Sequence, residues 1–268
     1  MRTKLTLLFI TILFVLAACS IDENNNKAPV QENNEISEND DADNHSKKII
    51  ELNFTPVPKE ILKDGLPKEE WIKGKSIYFG NLTNQIESTM HLYIDNTINS
   101  DLRPGEGRII YGFLEHGDKI YELGDVSSYG IDDVNVKLAD RTFDGIKEIE
   151  IEGAMGATYV QLKIISFNEA NNEWENILTM GSPSFIDLDR DGQEELIASS
   201  RGSLPPWVDI YRWNNDHFET VDIAEATDSD YVTLNTIDGI IETGLIENGK
   251  AYGKTTLYKY EDSKLIGQ

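Results

Sequence analysis

Three Asp-Gly pairs begin at positions 144, 191 and 238, and the steps between them are equal (191 − 144 = 47; 238 − 191 = 47). A fixed period in the range of ~20–50 residues marks a chain built from stacked copies of one supersecondary unit, each too small to bury its apolar face alone. Any fold proposed for this chain must therefore place the same unit at least three times.

The middle copy is the most explicit. Asp187-Leu-Asp189-Arg-Asp191-Gly192-Gln193-Glu-Glu195 sets carboxylates at alternate positions, then a glycine, then a closing acid. Hard cations such as Ca²⁺ take oxygens at ~2.3–2.6 Å, and a tight loop can turn alternate side chains toward one centre. The glycine permits the sharp turn. Without an ion, acids this close repel one another. The expected ligands are Asp187, Asp189, Asp191, the carbonyl of Gln193, and Glu195. An EF-hand is excluded, because the twelfth residue from Asp187 is Ala198 rather than a bidentate glutamate. Short apolar runs flank the loop, Ser184-Phe-Ile before and Leu196-Ile-Ala after, so residues 184–198 read as strand–loop–strand.

The copy at 140–148 offers Asp140, Thr142, Asp144, the carbonyl of Ile146, and Glu148, with one carboxylate fewer. The copy at 234–242 has Leu234 in the first ligand position and is expected to hold no ion. A fainter trace runs from Asp95 to Asn99 and lacks both the glycine and the closing acid. Downstream of each loop, Leu162–Asn168, Val208–Asn214 and Thr256–Glu261 alternate apolar and polar residues. Each is followed by a polar turn and a second short run at Trp174, Phe218 or Lys264, which is hairpin patterning.

The unit resembles the FG-GAP/VCBS-type repeat, the calcium-loop blade of integrin-α-like β-propellers, over roughly residues 130–266. The resemblance implies that the loop acids bind Ca²⁺ and that the ion braces the blade. It implies an all-β fold of β-propeller-like repeats of about 47 residues. The resemblance implies about seven blades, toward the upper end of the ~4–8 that propellers hold, and this chain has room for about four or five, so a small or incomplete propeller, or a stacked β array, is expected.

Residues 1–18 read as a lipoprotein signal peptide: Arg2 and Lys4, then an apolar stretch from Leu5 to Ala18 too short for the ~20 residues that span a bilayer. Leu16-Ala-Ala-Cys19 resembles the bacterial lipobox, which places acyl chains on Cys19, the only cysteine of the chain. Residues 19–47 form a lipidated, acidic tether. Ser20–Ser46 holds 8 acids, 7 asparagines and 1 lysine, too little apolar surface to offset the entropy of ordering it. The expected address is the cell membrane, lipid-anchored, outside the cytoplasm. Residues 48–129 are the N-terminal part of the β domain, with a degenerate repeat, and 130–268 hold the clear repeats. Two short helical turns are expected around Lys59–Lys63 and Lys68–Ile72, with Trp71 packing on a sheet.

Net charge is −24, and removal of two basic residues with the leader makes it −26, which argues against nucleic acid as a partner. His45, His91, His116 and His217 are scattered and fit no nucleophile or zinc pattern. Ser203-Leu-Pro-Pro-Trp207 is a stiff loop that either presents Trp207 or tucks it into the core. The residues favour a binding module for a protein or glycan over an enzyme. The competing readings are an extracytoplasmic hydrolase on the same scaffold and an envelope- or spore-assembly accessory lipoprotein.

Overall fold

A computed structural model describes residues 47–83, 85–95, 108–200, 202 and 205–268. Three short strands come first: β1 (Ile49–Glu51), β2 (Thr55–Pro56) and β3 (Glu60–Ile61). Four antiparallel meanders follow in chain order. The first sheet is β4 (Ile72–Thr83), β5 (Ile86–Ile94), β6 (Ile110–His116) and β7 (Lys119–Ser127). The second is β8 (Val134–Ala139), β9 (Glu148–Ala154), β10 (Val160–Asn168) and β11 (Glu173–Gly181). The third is β12 (Pro183–Ile186), β13 (Glu195–Ser199), β14 (Val208–Asn214) and β15 (His217–Asp222). The fourth is β16 (Tyr231–Asn235), β17 (Ile240–Glu247), β18 (Lys250–Glu261) and β19 (Lys264–Gly267). The fold is all-β, and none of the sheets is closed.

The sheets stack face to face through three apolar layers. Met90, Leu92 and Leu114 of the first sheet meet Ile149, Ile151 and Phe167 of the second. Leu162, Ile164 and Leu178 on the second meet Leu196, Ala198 and Phe218 on the third. Ile197, Ile210 and Val221 on the third meet Ile241, Tyr258 and Leu265 on the fourth. The two middle sheets are thus buried on both faces. This is why β9 and β11 read as nearly continuous buried runs rather than as strict alternation. A β-bulge at Ile177, which falls between the Ile164–Leu178 and Ile165–Asn176 pairs, re-aims β11, so that Leu178 and Met180 serve one layer while Trp174, an even number of residues away, serves the other.

The segment before β4 forms a strap. It passes the last strand of every sheet in reverse chain order. β1 pairs with β19, β2 with β15 and β3 with β11. Glu122 N then donates to Lys63 O (2.9 Å) and Gly65 N to Ile120 O (3.0 Å), which extends the strap along β7. The strap replaces the helical turn expected at Lys59–Lys63. Pro58 and Pro67 bracket this stretch, and its amides find partners on neighbouring sheet edges instead of within a helix. At Lys68–Ile72 a single turn survives, closed by Trp71 N on Lys68 O (3.1 Å), before β4 begins. Trp71 is buried and stacks on Tyr111 at 4.1 Å. The short helix α1 (Ile223–Thr227), capped by the Asp222 carboxylate on Glu225 N, was not expected from the sequence.

Tight turns join the strands. Asn248 and Gly249 both have positive φ, 52° and 75°, the conformation of the mirror-image turn that matches strand twist. The β18–β19 turn does the same with Asp262 and Ser263, where no glycine relieves the strain, and Arg212 Nη1 holds the Ser263 hydroxyl.

His116 lies in the first apolar layer. It packs edge-on against Trp174 (5.3 Å) and beside Phe167 (5.6 Å), and its Nδ1 meets Ser88 Oγ at 2.8 Å. Burial lowers its pKa below the ordinary 6.5. The folded state therefore binds fewer protons than the unfolded chain, and the stability this ring contributes at neutral pH is lost as pH falls below ~6.5. Replacing it, His116→Asn, should cost stability at pH ~7.5, and the gap to wild type should shrink by pH ~5.5 in thermal melts. A gap that widens on acidification would mean that the ring charges freely inside the fold.

Candidate metal centre

The 187–195 loop joins β12 to β13, with Phe185 opposite Leu196 and Ile186 opposite Glu195, as strand–loop–strand. Its backbone is wrapped around its own acids. Asp187 Oδ2 accepts from Gly192 N (3.2 Å), Asp189 Oδ1 from Asp191 N (3.2 Å), and Asp191 Oδ1 from Gln193 N (2.7 Å). Glu195 reaches back seven residues to take the Leu188 N–H at 2.8 Å. Gly192 has φ 92°, which admits the sharp turn without a Cβ penalty.

These bonds use one oxygen of each acid. One oxygen each of Asp187, Asp189 and Glu195 can be taken so that all lie within 4.8 Å of one another. Ligands at ~2.3–2.6 Å from one Ca²⁺ are at most ~5 Å apart, so these oxygens can surround a single ion of that size. Asp187 Oδ1 is buried and has no protein hydrogen-bond partner. A buried carboxylate oxygen without a donor is costly unless a cation meets it. Glu195 is pushed up to about 7 by burial and by the charges of Asp189 and Asp191. The three acids fit a divalent cation. Asp191 stands outside this group; it and Gln193 line the same cavity of ≈ 180 Å³ together with Arg141, Phe143 and Arg212.

The 140–148 loop repeats the wiring. Asp140 Oδ2 accepts from Gly145 N (3.0 Å), Asp144 Oδ1 from Ile146 N (2.8 Å), and Glu148 Oε2 from Arg141 N (2.7 Å). The difference is Thr142. Its hydroxyl donates to the other oxygen of Glu148 at 3.1 Å. Both oxygens of this closing acid are satisfied by the protein, whereas Asp189, at the matching position in the next loop, has no proton to give. Burial raises Glu148, and the Arg141 and Thr142 hydrogen bonds act against that rise.

At 234–242 the pattern collapses into a tight hairpin. Asn235 faces Ile240 across a short turn, and Glu242 sits opposite Thr233, accepting from Tyr231 OH at 3.2 Å. Of the faint trace, Asp95 is buried, and residues 96–99 lie outside the described residues. The three loops adjoin one another. Arg141 stacks on Phe185 (4.0 Å) and reaches Glu194 (3.1 Å), while a Cβ on Gly239 would stand 3.6 Å from Leu188 O.

Cys19, the leader, the tether and His45 lie outside the described residues, as do Ser203 and Leu204. Trp207 is half-buried against the layer between the second and third sheets. His217 contacts Asp216 (2.7 Å) at the surface. A cavity of ≈ 580 Å³ holds an acid pair, Asp209 and its cross-strand partner Asp222; burial and Asp222 push Asp209 up to about 6. One arrangement has no local signature in the sequence: Ser76 Oγ lies 2.9 Å from His91 Nδ1, and His91 Nε2 lies 2.8 Å from Glu115 Oε2. Residues 15 and 24 apart meet there only through strand register.

No protein-family model, no curated protein and no solved structure matches the chain.

Thr142→Asp tests why the first two loops differ. It removes the donor to Glu148 and supplies a fourth carboxylate. In chelator the variant should be less stable by about 1–3 kcal/mol, the cost of unpairing a buried acceptor. Millimolar Ca²⁺ should recover that loss in a thermal melt. Equal destabilisation with and without Ca²⁺ would mean that this loop cannot gather its oxygens around an ion.

Proposed function

We propose that this chain is a surface lipoprotein whose β-repeat body is braced by Ca²⁺ and whose loop rim works by binding. The observation that carries the metal reading is the buried, partnerless Oδ1 of Asp187 beside Asp189 and Glu195. In this reading Ca²⁺ supplies the positive charge that the three acids lack, and the loop amides orient the acids toward it. The sheets, four successive meanders in chain order, are the blades of a small propeller-like array. The aligned loops form one rim, with Phe143 half-exposed and Ile237 almost fully exposed at its tips. That rim is the candidate contact surface for a protein or glycan.

The anchor is Cys19, carried on the acidic tether. No helix among the described residues is long and apolar enough to cross a membrane. Two acyl chains hold a protein stably at a bilayer where one is marginal.

Melting the protein in chelator and in millimolar Ca²⁺ tests the metal reading. Extracellular calcium modules bind at ~10⁻⁴–10⁻³ M, and a hundredfold excess over Kd adds about 2.7 kcal/mol. Asp189→Ala should erase most of the calcium-dependent rise, Asp144→Ala a smaller part, and Asp238→Ala little. A wild-type protein that melts at one temperature in both conditions has no metal loop.

Cys19→Ser should release the protein from the membrane fraction or block its processing. A variant processed and retained like wild type would remove the lipid anchor from this reading.

A further inference from the structure

The first sheet has one face in the apolar layer and one face outside it. Met90, Leu92, Ile110 and Leu114 point into the layer, whereas Phe113, though fully buried, is not part of it. Strand register places Ser76, His91 and Phe113 in one cross-strand row, with Tyr93 opposite Tyr111 one step along the same face. Trp71 stacks on Tyr111 and tilts over Phe113 (6.2 Å), and Tyr93 meets Phe113 edge-on at 5.5 Å. Aromatic rings thus form a platform, with Tyr93 and Tyr111 half-exposed. Trp71 Nε1 is buried there and has no protein partner, which leaves a donor for a ligand oxygen.

Beside the platform lies the Ser76–His91–Glu115 chain. Ser76 is exposed, the His91 ring is buried, and Glu115 is half-open to solvent. A neutral ring protonated on Nε2 donates to Glu115 and accepts from the Ser76 hydroxyl, the arrangement in which an acid orients a base and the base activates a nucleophile. Triads are recognised by these roles and not by sequence order. The strand that carries Ser76 has a bulge between Lys73 and Lys75, a device that re-aims side chains.

We propose that this face is a second, catalytic site: a serine hydrolase centre for uncharged carboxylic esters, with Ser76 as nucleophile, His91 as general base and acid, and Glu115 as the positioning residue. Ser76 Oγ bonds to the ester carbonyl carbon while its proton passes to His91 Nδ1. The tetrahedral intermediate collapses, the bond to the leaving alkoxide breaks, and His91 returns the proton to that oxygen. Water repeats the sequence on the acyl-serine and releases the carboxylic acid. Glu115 keeps its hydrogen bond to His91 Nε2 throughout. Glu87, Glu115 and Glu122 on the same face outnumber Lys68 over the Trp71 ring and Lys73 opposite Tyr93, which disfavours anionic esters, and the aromatic platform suits a flat or ring-bearing group.

The test uses the full chain, a fluorophosphonate probe and p-nitrophenyl acetate. In labelling, the Oγ–P bond forms and fluoride leaves. Wild type should be labelled at Ser76 and should hydrolyse the ester. Ser76→Ala, at an exposed position and checked by its melting temperature, should abolish both. His91→Asn should reduce both by at least ~100-fold, the contribution of a general base. Glu115→Gln keeps an acceptor for Nε2–H but removes the charge, so it should lower kcat with KM and melting temperature little changed, a split that a merely structural role would not produce. Absence of labelling, labelling that survives Ser76→Ala or His91→Asn, or labelling without ester turnover would each overturn the proposal.

Discussion

Burial of both faces of the second and third sheets is the constraint on which everything else rests. A lone four-stranded meander exposes one apolar face, and here the middle two would expose both. Each fully buried aliphatic or aromatic side chain contributes about 1.5–3 kcal/mol relative to exposure. Ile164, Ile197 and Ile210 gain that only when sheets stand on either side. Stability is therefore shared between neighbours, as expected of a repeat array. The strap is the counterpart of this arrangement. By pairing with β19, β15 and β11 in turn, it ties sheets distant in sequence to one short stretch and covers edges that would otherwise offer unpaired amides.

Much of this was legible in the residues. Period, loop and hairpin were readable because each is local. The Asp-Gly turn, the alternating run after it and the polar turn lie within one unit, and β10, β14 and β18 fall where the alternation places them. The strap was not readable, because Thr55-Pro56 and Glu60-Ile61 carry no pattern of their own and become strands only when an edge is presented to them. The first sheet has four strands like the others, but its sequence lacks the Asp-Gly loop with a closing acid, so its kinship is one of architecture alone. The Ser76–His91–Glu115 chain is the extreme case, since nothing but register across β4, β5 and β6 joins its members.

Of the loop, the sequence showed which acids converge but not how each oxygen is spent. Asp191 is expected as a ligand with the others; like them it gives one oxygen to a loop amide, and it lies outside the close group of Asp187, Asp189 and Glu195. Alternate spacing says which side chains can turn inward. The backbone conformation, with Arg190 at φ 66° and Gly192 at φ 92°, brings a loop amide to one oxygen of each acid.

The three copies then form a series in how a closing acid is satisfied. Glu242 has left the turn and serves Tyr231 from within a strand. Glu148 stays in place, with one oxygen on a backbone amide and the other on the Thr142 hydroxyl. Glu195 keeps the amide but faces aspartates where its neighbour faces a hydroxyl. A hydroxyl is a donor that folding itself supplies, whereas a carboxylate at the same position brings a second charge that a cation must neutralise. A single exchange, threonine for aspartate at the third position of the loop, thus separates a closing acid whose two oxygens both accept from the protein from one that faces two further carboxylates. In the proposed reading calcium therefore acts chiefly at the β12–β13 connection of the third sheet, a sheet packed between neighbours on both faces, and less at 140–148.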